Sequence, residues 1–425
     1  MDDSLLQPHD PYASLRIPGY RWYILSTFTM TLAAQIQGVV VSWQIYDVTH
    51  DPLSLGMIGL AEALPYISIA LFAGHVADRE DRRTISLTSL ALLVLCSVAL
   101  LVLSLGGAMK ASAGTHRGVW PFYVVIFLSG IARSFLQPAR QALGAEIVPR
   151  PLYPNAVAWR SSTWQTAAVA GPALGGLLYG FTSASFAYAV DASLMIVALI
   201  AFATIAYVPR GERHLEGSVA ESLRTGIQFV LHEPVLLGAM TLDLFSVLLG
   251  GAEALLPVFA DQILRVGPQG LGVLRAAPAA GATLMSLYLA HRRPFRRAGR
   301  ALLNAVAVFA LCIIGFGVSR SFSLSLVLLA ISGMADNVSV VVRSTLLQVL
   351  TPEHLLGRVS SVNAIFIGSS NELGAFESGV AARLLGTVTS VVLGGVASLS
   401  VVGIVAVRVP SLRRLGAIER IPRET

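Results

Sequence analysis

Long apolar runs separated by short polar stretches dominate the chain between residues 22 and 408. A helix needs about 20 apolar residues to cross a bilayer, and only helices or closed barrels satisfy their backbone polar groups in hydrocarbon. The runs are too long and too apolar for barrel strands. They therefore predict an all-α integral membrane protein with twelve transmembrane spans, numbered 1 to 12, at about residues 22–46, 53–77, 85–109, 119–143, 155–180, 185–208, 235–262, 270–290, 301–319, 322–349, 359–384 and 388–408.

The composition agrees with this pattern, because 55% of the 425 residues are hydrophobic and only 13% are charged. Residues 1–21 are polar and begin acidic, without the basic start and cleavage site of a signal peptide, so we expect the first run to remain as span 1. Cys96 and Cys312 lie inside apolar runs without the spacing of metal ligands. We interpret both as small core residues and predict no metal site.

The distribution of basic residues predicts the orientation. Most of the 30 Lys and Arg residues lie in the terminal segments, in the connections that follow the even-numbered spans, or at adjoining span ends. The connections on the other side carry four of them, Lys110, Arg117, Arg265 and Arg320. Because positive residues stay on the cytoplasmic side, both termini should be cytoplasmic. The basic residues are scattered over short loops, so nucleic acid is not an expected partner.

Two constant offsets relate the first half of the chain to the second. A shift of 203 residues carries Ser129, Gly130, Ala132, Arg140, Leu143, Pro149, Gly171 and Gly176 onto identical residues, and a shift of 216 does so for Leu55, Gly56, His75 and Cys96. The chain is therefore predicted to contain an N-terminal six-helix bundle (1–208), a cytoplasmic linker (209–233) and a C-terminal six-helix bundle with a cytoplasmic tail (234–425). Parallel six-helix repeats occur in a class of transporters with the binding site between the halves.

Six charges stand together in GHVADREDRR, residues 74–83, between spans 2 and 3. The pattern of Gly74, Asp78, Arg79, Arg82 and Arg83 resembles the loop signature of the major facilitator superfamily. Glycine is usual in that family at the position held here by Asp81. The resemblance implies a conformational role for this motif, with Asp78 forming part of a latch for one state. The alternative is that these charges only fix the topology.

Span 5 carries a second motif, Gly171-Pro172-Ala173-Leu174-Gly175-Gly176. It resembles the GPxxGG core of the superfamily's antiporters and implies export. We expect its glycines to allow close backbone approach. Two further phrases are most similar to the branch that contains the enterobactin exporter and drug:proton antiporters: Trp43-Gln44-Ile45-Tyr46 to Thr49, and Ser134 to Pro138-Ala139-Arg140-Gln141-Ala142. The resemblance covers essentially the whole chain and implies the twelve-helix major facilitator fold, with spans 1, 4, 7 and 10 around a central cavity.

Ionisable side chains inside the spans are costly, so each usually faces a cavity or a partner. We take Asp243, Glu253 and Glu62 as proton-coupling candidates. Asp243 comes first because no opposite charge lies within one turn of its helix, although Arg133 could approach it from span 4. The candidates for lining a substrate cavity are Gln35, Gln37, Arg133, Trp164, Asp336, Asn337 and Glu372.

Some of these candidates have plainer alternatives. The shift of 203 carries Arg133 onto Asp336, so the two could meet or bracket a ligand between spans 4 and 10. Glu253, in contrast, could simply reach the membrane surface. Trp164 is more often packing than a stacking platform.

The expected function is secondary active transport of a small amphipathic or aromatic compound, siderophore-like or drug-like, exported in exchange for protons. The single lysine, Lys110, is not in a phosphate-binding loop, so ATP hydrolysis is excluded. The chain contains no HExxH or GxSxG motif, so we do not expect it to be an enzyme. We predict no cofactor besides the proton gradient, and as partners the substrate, protons and the bilayer, with the protein a monomer. The alternatives are a lipid or metabolite transporter or uniporter of the same fold, or a transport-inactive membrane sensor.

Overall fold

The computed structural model describes residues 10–106, 118–206, 219–292 and 295–416, and this part of the chain is almost entirely helical. The first half contributes six long helices: α1 Pro18–Thr49, α2 Pro52–Arg79, α3 Arg82–Leu105, α4 Trp120–Ile147, α5 Tyr153–Phe181 and α6 Ala184–Ala203. The remainder contributes α7 Val219–His232, α8 Pro234–Leu249, α9 Leu256–Val258, α10 Gly267–Ala290, α11 Ala298–Val318, α12 Phe322–Leu350, α13 Glu353–Leu385, α14 Thr387–Arg408 and α15 Pro410–Arg414.

Local sequence signals set several helix ends. His50 ends α1 in the left-handed conformation, with φ of 48°. Asp51 then caps α2 by accepting a 3.0 Å hydrogen bond from the Leu53 amide. Pro52 occupies the first turn of α2, where its missing N–H costs nothing. The reversal between α1 and α2 is thus encoded by three consecutive residues.

The helix boundaries repeat with the offsets read from the sequence. α1 and α8 begin at Pro18 and Pro234, which are 216 residues apart. α6 and α14 begin at Ala184 and Thr387, which are 203 residues apart. The protein therefore consists of two pseudo-symmetric six-helix bundles.

The predicted count of twelve apolar spans is only partly matched. Ten helices of the described residues are long and apolar enough to cross a membrane. α5 and α13, which stand at the places of spans 5 and 11, are 29 and 33 residues long but are not among these ten. Both lie between the halves, where α5 packs along α10 and α13 along α2. Small and polar residues on those faces reduce the apolar content of the two helices.

Span 7, predicted as one helix over 235–262, is interrupted. α8 ends at Leu249, and Gly250 and Gly251 lead into a short 3-10 turn at Ala252–Leu255. α9 and a π-helical turn at Phe259–Ile263 follow. Two consecutive glycines give the backbone the freedom to leave the α conformation, which the count of apolar residues did not reveal.

Part of the predicted linker is helical, since α7 spans Val219–His232. Residues 207–218 lie outside the described part of the chain. α7 packs against α13, and a Cβ on Gly226 would lie 2.9 Å from the Arg358 carbonyl oxygen. This segment is therefore attached to the C-terminal bundle.

Close glycine contacts join the halves, among them one between α5 and α10 and one between α2 and α13. A Cβ on Gly176 of α5 would lie 2.5 Å from the Pro268 carbonyl oxygen of α10, and one on Gly379 of α13 would lie 2.6 Å from the Gly56 Cα of α2. Gly272 faces Gly176 in the same way. The two contacts are equivalent under the repeat, and each brings helix backbones together where only glycine fits.

The halves also meet at one end of the bundle. We call the end with the α2–α3 and α4–α5 connections the basic face, and the end with the α1–α2 and α13–α14 connections the opposite face. Near the opposite face, Trp43 and Tyr46 of α1 share a buried cluster with Leu255 and Phe259. Asp51 and Arg383 also form a 3.3 Å ion pair between α13 and the α1–α2 connection. The structure is therefore closed at the opposite face.

Candidate functional site

A polar cluster lies between the halves near the middle of the spans. The Arg133 guanidinium of α4 donates hydrogen bonds to Glu62 Oε1 of α2 at 3.1 Å and to Gln37 Oε1 of α1 at 3.3 Å. The Arg133 and Glu62 side chains keep 32% and 27% of their exposure, so open space adjoins the ion pair. Three predicted candidates are thus brought together.

The second half contributes two further members. Glu372 of α13 lies within hydrogen-bonding reach of Glu62, and both Arg133 and Arg275 act on it electrostatically. Arg275 of α10 donates to the Gly38 carbonyl oxygen at 3.1 Å and lies 3.4 Å from Ser42 Oγ. A Cβ on Gly38 would lie 3.3 Å from Arg275 Nη2, so glycine gives the guanidinium room. We call Gln37, Glu62, Arg133, Arg275 and Glu372 the central cluster.

The span 5 motif holds α5 against two different helices. Gly171 packs on Gln35, since its Cβ would lie 2.4 Å from the Gln35 Cβ, and Gly175 packs on Ile36 of α1. Gly176 instead meets α10 of the other half. The close approach expected from the sequence is therefore present. Gln35 supports this contact beside the central cluster, and within the described residues no hydrogen bond joins it to a member of that cluster.

Asp243 has a charged partner that the sequence reading did not assign. It forms an ion pair with Arg343 of α12, and the two side chains keep 10% and 4% of their exposure. No opposite charge lies within one turn on its own helix, so the compensation of its charge comes from α12. No contact joins Asp243 to Arg133, whose acidic partner is Glu62. The partner comes from a helix about 100 residues away, beyond the reach of a local reading.

Asp336 belongs with this ion pair. It lines a small cavity with Asp243, Ser246 and Ser339, and Asp243, Arg343 and Glu253 act on it electrostatically. Arg133 and Asp336 therefore do not pair in this structure, although they occupy equivalent places. We call Asp243, Asp336 and Arg343 the C-half cluster.

Three further candidates differ in their exposure and hydrogen bonding. Glu253 is exposed in the 3-10 turn between α8 and α9. Asn337 of α12 has a buried Oδ1 without a hydrogen-bond partner. Trp164 of α5 keeps 52% of its exposure. Trp159, in contrast, donates to the Pro11 carbonyl oxygen at 2.9 Å and contacts Tyr12, so it anchors the N-terminal segment.

The α2–α3 connection ties α3 to other helices of the N-terminal half. Arg82 bonds Glu146 of α4 at 2.5 Å, and Arg83 donates to the Ala203 carbonyl oxygen of α6 at 2.8 Å. The side chains of Gly74, Asp78 and Arg79 lie outside the described residues, so the latch role of Asp78 stays a prediction.

Asp81, which replaces the usual glycine, caps α3 and accepts from the Arg83 and Thr84 amides at 3.3 and 3.0 Å. Burial opposes ionisation of Asp81. The hydrogen bonds from Thr84 and from the two amides outweigh burial and lower the pKa of the carboxyl. The departure from the family pattern is therefore accommodated as a helix cap.

Sequence reasoning passed over two buried charges. Arg343 could have been suspected, since it lies seven residues from Asp336 and therefore on the same face of α12. Asp191 of α6 is fully buried beside Ser97, with both carboxylate oxygens lacking a hydrogen-bond partner. It was visible as an acid inside span 6.

Solved structures of other proteins share the architecture described above. The peptide transporter POT matches with a TM-score of 0.71 at 13% identity, over 96% of this chain and 100% of the other. The nucleoside transporter NupG matches with a TM-score of 0.69 at 12% identity, over 92% and 99%. Together with the two bundles, this shows that the protein shares the fold of these transporters.

Sequence comparison places the chain in a family of the major facilitator superfamily. Residues 9–425 match the family described as transmembrane secretion effector, and the chain belongs to that family. The enterobactin exporter EntS of Shigella flexneri is 26% identical over 364 residues, covering 84% of this chain and 82% of the relative. EntS of Escherichia coli O1:K1 is 25% identical over the same coverage.

Proposed function

We propose that this transporter is a proton-coupled exporter of a small amphipathic or aromatic organic compound, acting by alternating access as a monomer. Its basic face would lie in the cytoplasm of a bacterial inner membrane, with both termini on that side. The proton gradient would be its energy source. The family to which the chain belongs supports export, and its similarity to the enterobactin exporter EntS supports a siderophore-like substrate.

The central cluster is the observation that carries this proposal. Glu62 and Glu372 come from opposite halves and approach each other within hydrogen-bonding reach. Two ionised carboxylates repel each other at that distance, so one shared proton favours the contact. Rocking of the halves would separate the two groups. The proton affinity of the pair would then depend on the conformational state, which is what coupling requires.

Arg133 adds an ion pair to the cluster, because its guanidinium contacts the Glu62 carboxylate. While it holds Glu62, it lowers the cost of a charged carboxylate in the membrane. An incoming substrate or proton could exchange with one of these partners. Asp243 and Glu253 remain further coupling candidates, but the Arg343 ion pair already compensates Asp243. We therefore place Glu62 and Glu372 first.

The test is transport by purified protein in proteoliposomes with and without an imposed pH gradient, using a panel of siderophores, dyes and drugs. Glu62→Gln and Glu372→Gln should each abolish accumulation driven by the gradient. Exchange of substrate at equal concentrations should persist, because neither change blocks the path. Glu377→Gln is the matched control, since Glu377 is on α13 but outside the central cluster.

The outcomes separate the alternatives. If both variants keep full gradient-driven transport, the coupling role of Glu62 and Glu372 is wrong, and Asp243→Asn and Glu253→Gln are tested next. If wild type only equilibrates its substrate, a uniporter is the better interpretation. If no compound of the panel is transported under any gradient, a transport-inactive membrane sensor becomes the better interpretation.

A further inference from the structure

Arg140 is a cation for which the described residues supply no acidic partner. It lies on α4 seven residues after Arg133, hence two turns nearer the basic face on the same side of the helix. Its side chain is partly exposed, while its Nε and Nη1 atoms are buried and have no hydrogen-bond partner. A guanidinium remains charged at all relevant pH values and presents donors that need acceptors.

A second cation reinforces the first. Arg160, near the beginning of α5, is the charged neighbour that acts on Arg140, and the Tyr23 ring of α1 adjoins Arg140 as well. Within the described residues, neither guanidinium forms an ion pair with a carboxylate. Like charges in a low-dielectric region repel each other. Near the basic face, the N-terminal half therefore holds two positive charges that no carboxylate of the described residues neutralises.

The repeat shows that this lack of compensation is specific to one half. Arg140 corresponds to Arg343 under the shift of 203, and Thr27 corresponds to Asp243 under the shift of 216. In the second half, Asp243 neutralises Arg343. In the first half, the acid is replaced by Thr27, whose buried Oγ1 also lacks a hydrogen-bond partner. A neutral hydroxyl stands where an acid would close the site.

We propose that Arg140 and Arg160 form an anion-binding subsite that takes a carboxylate or similar oxyanion of the transported compound as it enters from the basic face. The inference rests on the proposed function and narrows its substrate class to acidic compounds. Arg140 supplies donors in a fork that matches two oxygens of one acid group. Trp164, one turn beyond Arg160 and half exposed, can receive an aromatic body attached to that group.

The probe is a matched pair, pyrenebutanoate and pyrenebutanamide, which share the aromatic body and differ in the charge of the head group. Binding to purified protein in zwitterionic lipid nanodiscs is followed by energy transfer from tryptophan to pyrene, with empty nanodiscs subtracted. Wild type should bind the acid at least about tenfold more tightly than the amide, as expected for one charge-assisted hydrogen bond.

Thr27→Asp is the decisive variant, because it introduces the carboxylate that the second half already has. The preference for the acid should fall close to one, although both arginines remain. Thr27→Asn, which adds an amide of similar size without a charge, should keep the preference. Arg140→Gln and Arg160→Gln should also lose it, and these provide the test if Thr27→Asp does not fold. The exposed Arg300→Gln is the charge-matched control.

Four outcomes of the binding assay would overturn the proposal. Equal binding of acid and amide by wild type would exclude an anion subsite. A preference that survives both Arg140→Gln and Arg160→Gln would place that subsite elsewhere. A preference that survives Thr27→Asp in a folded protein would show that Arg140 is not the free cation. Loss of binding in nanodiscs containing anionic lipid, with retention in zwitterionic ones, would assign the site to a lipid headgroup. Binding at equilibrium needs no proton gradient, so the preference for the acid can be measured even if proton coupling fails. Gradient-driven transport of the amide alone would support the proposed function and reject the subsite.

Discussion

At the scale of single residues, the environment of each buried charge decides its role. Arg343 is almost fully buried, and Asp243 is its partner. Removing one member of a buried ion pair leaves the other charge without compensation, which costs about 3–5 kcal/mol. Removing both charges together avoids that cost. Asp243 thus serves the stability of the C-terminal half, whichever part it takes in proton movement.

The first prediction concerns this pair. Arg343→Gln should lower the melting temperature of the detergent-solubilised protein clearly, and Asp243→Asn should do so as well. The double variant Asp243→Asn/Arg343→Gln should recover most of the loss. Arg358→Gln, at an exposed position of α13, should melt like wild type. Single variants as stable as wild type would show that the pair has no net stabilising effect.

At the scale of helices, contacts between glycines determine how the halves approach each other. Gly176 and Gly272 place α5 against α10, and Gly56 and Gly379 place α2 against α13. A side chain at any of these positions would meet backbone atoms, which cannot turn away as a flexible side chain can. Overpacking of this kind costs about 1–3 kcal/mol. We expect the spacing of these helices to control the transition between conformational states, because their backbones touch across the two halves.

The second prediction follows from this packing. Gly176→Leu should leave the protein inserted but reduce transport to background, because its Cβ would lie 2.5 Å from the Pro268 carbonyl oxygen. Gly175→Leu should act within the N-terminal half instead, since its neighbour is Ile36. Gly403→Leu is the control, because nothing lies within 4 Å of a Cβ there. Normal transport by Gly176→Leu would contradict a role for this contact.

At the scale of the whole molecule, the two bundles are closed at the opposite face by an apolar cluster and the ion pair of Asp51 with Arg383. Export by alternating access requires that this closure open in each cycle. A covalent link across it would hold the protein in the observed state. The two native cysteines, Cys96 and Cys312, are buried and so should not compete for reagent.

The third prediction uses such a link. Asp51→Cys/Arg383→Cys joined by a short bifunctional maleimide should lose transport while still binding ligand from the basic face. Each single variant treated in the same way should transport. Continued transport by the cross-linked protein would show that the opposite face does not need to open.

The fourth prediction concerns orientation. Thr182 is exposed between α5 and α6 at the opposite face, and Arg296 is exposed just before α11 at the basic face. In intact cells, Thr182→Cys should react with an impermeant thiol reagent and Arg296→Cys should not. The reverse labelling would overturn the cytoplasmic assignment of the basic face, and with it the direction of transport.

The sequence by itself determined the helical membrane fold, the two-fold repeat and the positions of some of the charges inside the spans. Hydrocarbon requires long apolar helices, and repeated helices keep their spacing along the chain, so both features can be read in one dimension. It also determined that Glu62, Arg133, Asp243 and Glu372 needed partners. The cost of a charge in the membrane does not depend on which partner is found.

Only the tertiary structure decided which charges meet. Glu62 pairs with Arg133 and faces Glu372 from the other half, whereas Asp243 pairs with Arg343. It also decided where span 7 breaks and that Arg140 remains uncompensated. These outcomes depend on the relative rotation and depth of helices far apart in the chain. Helix packing sets those quantities, and no local pattern of residues encodes them.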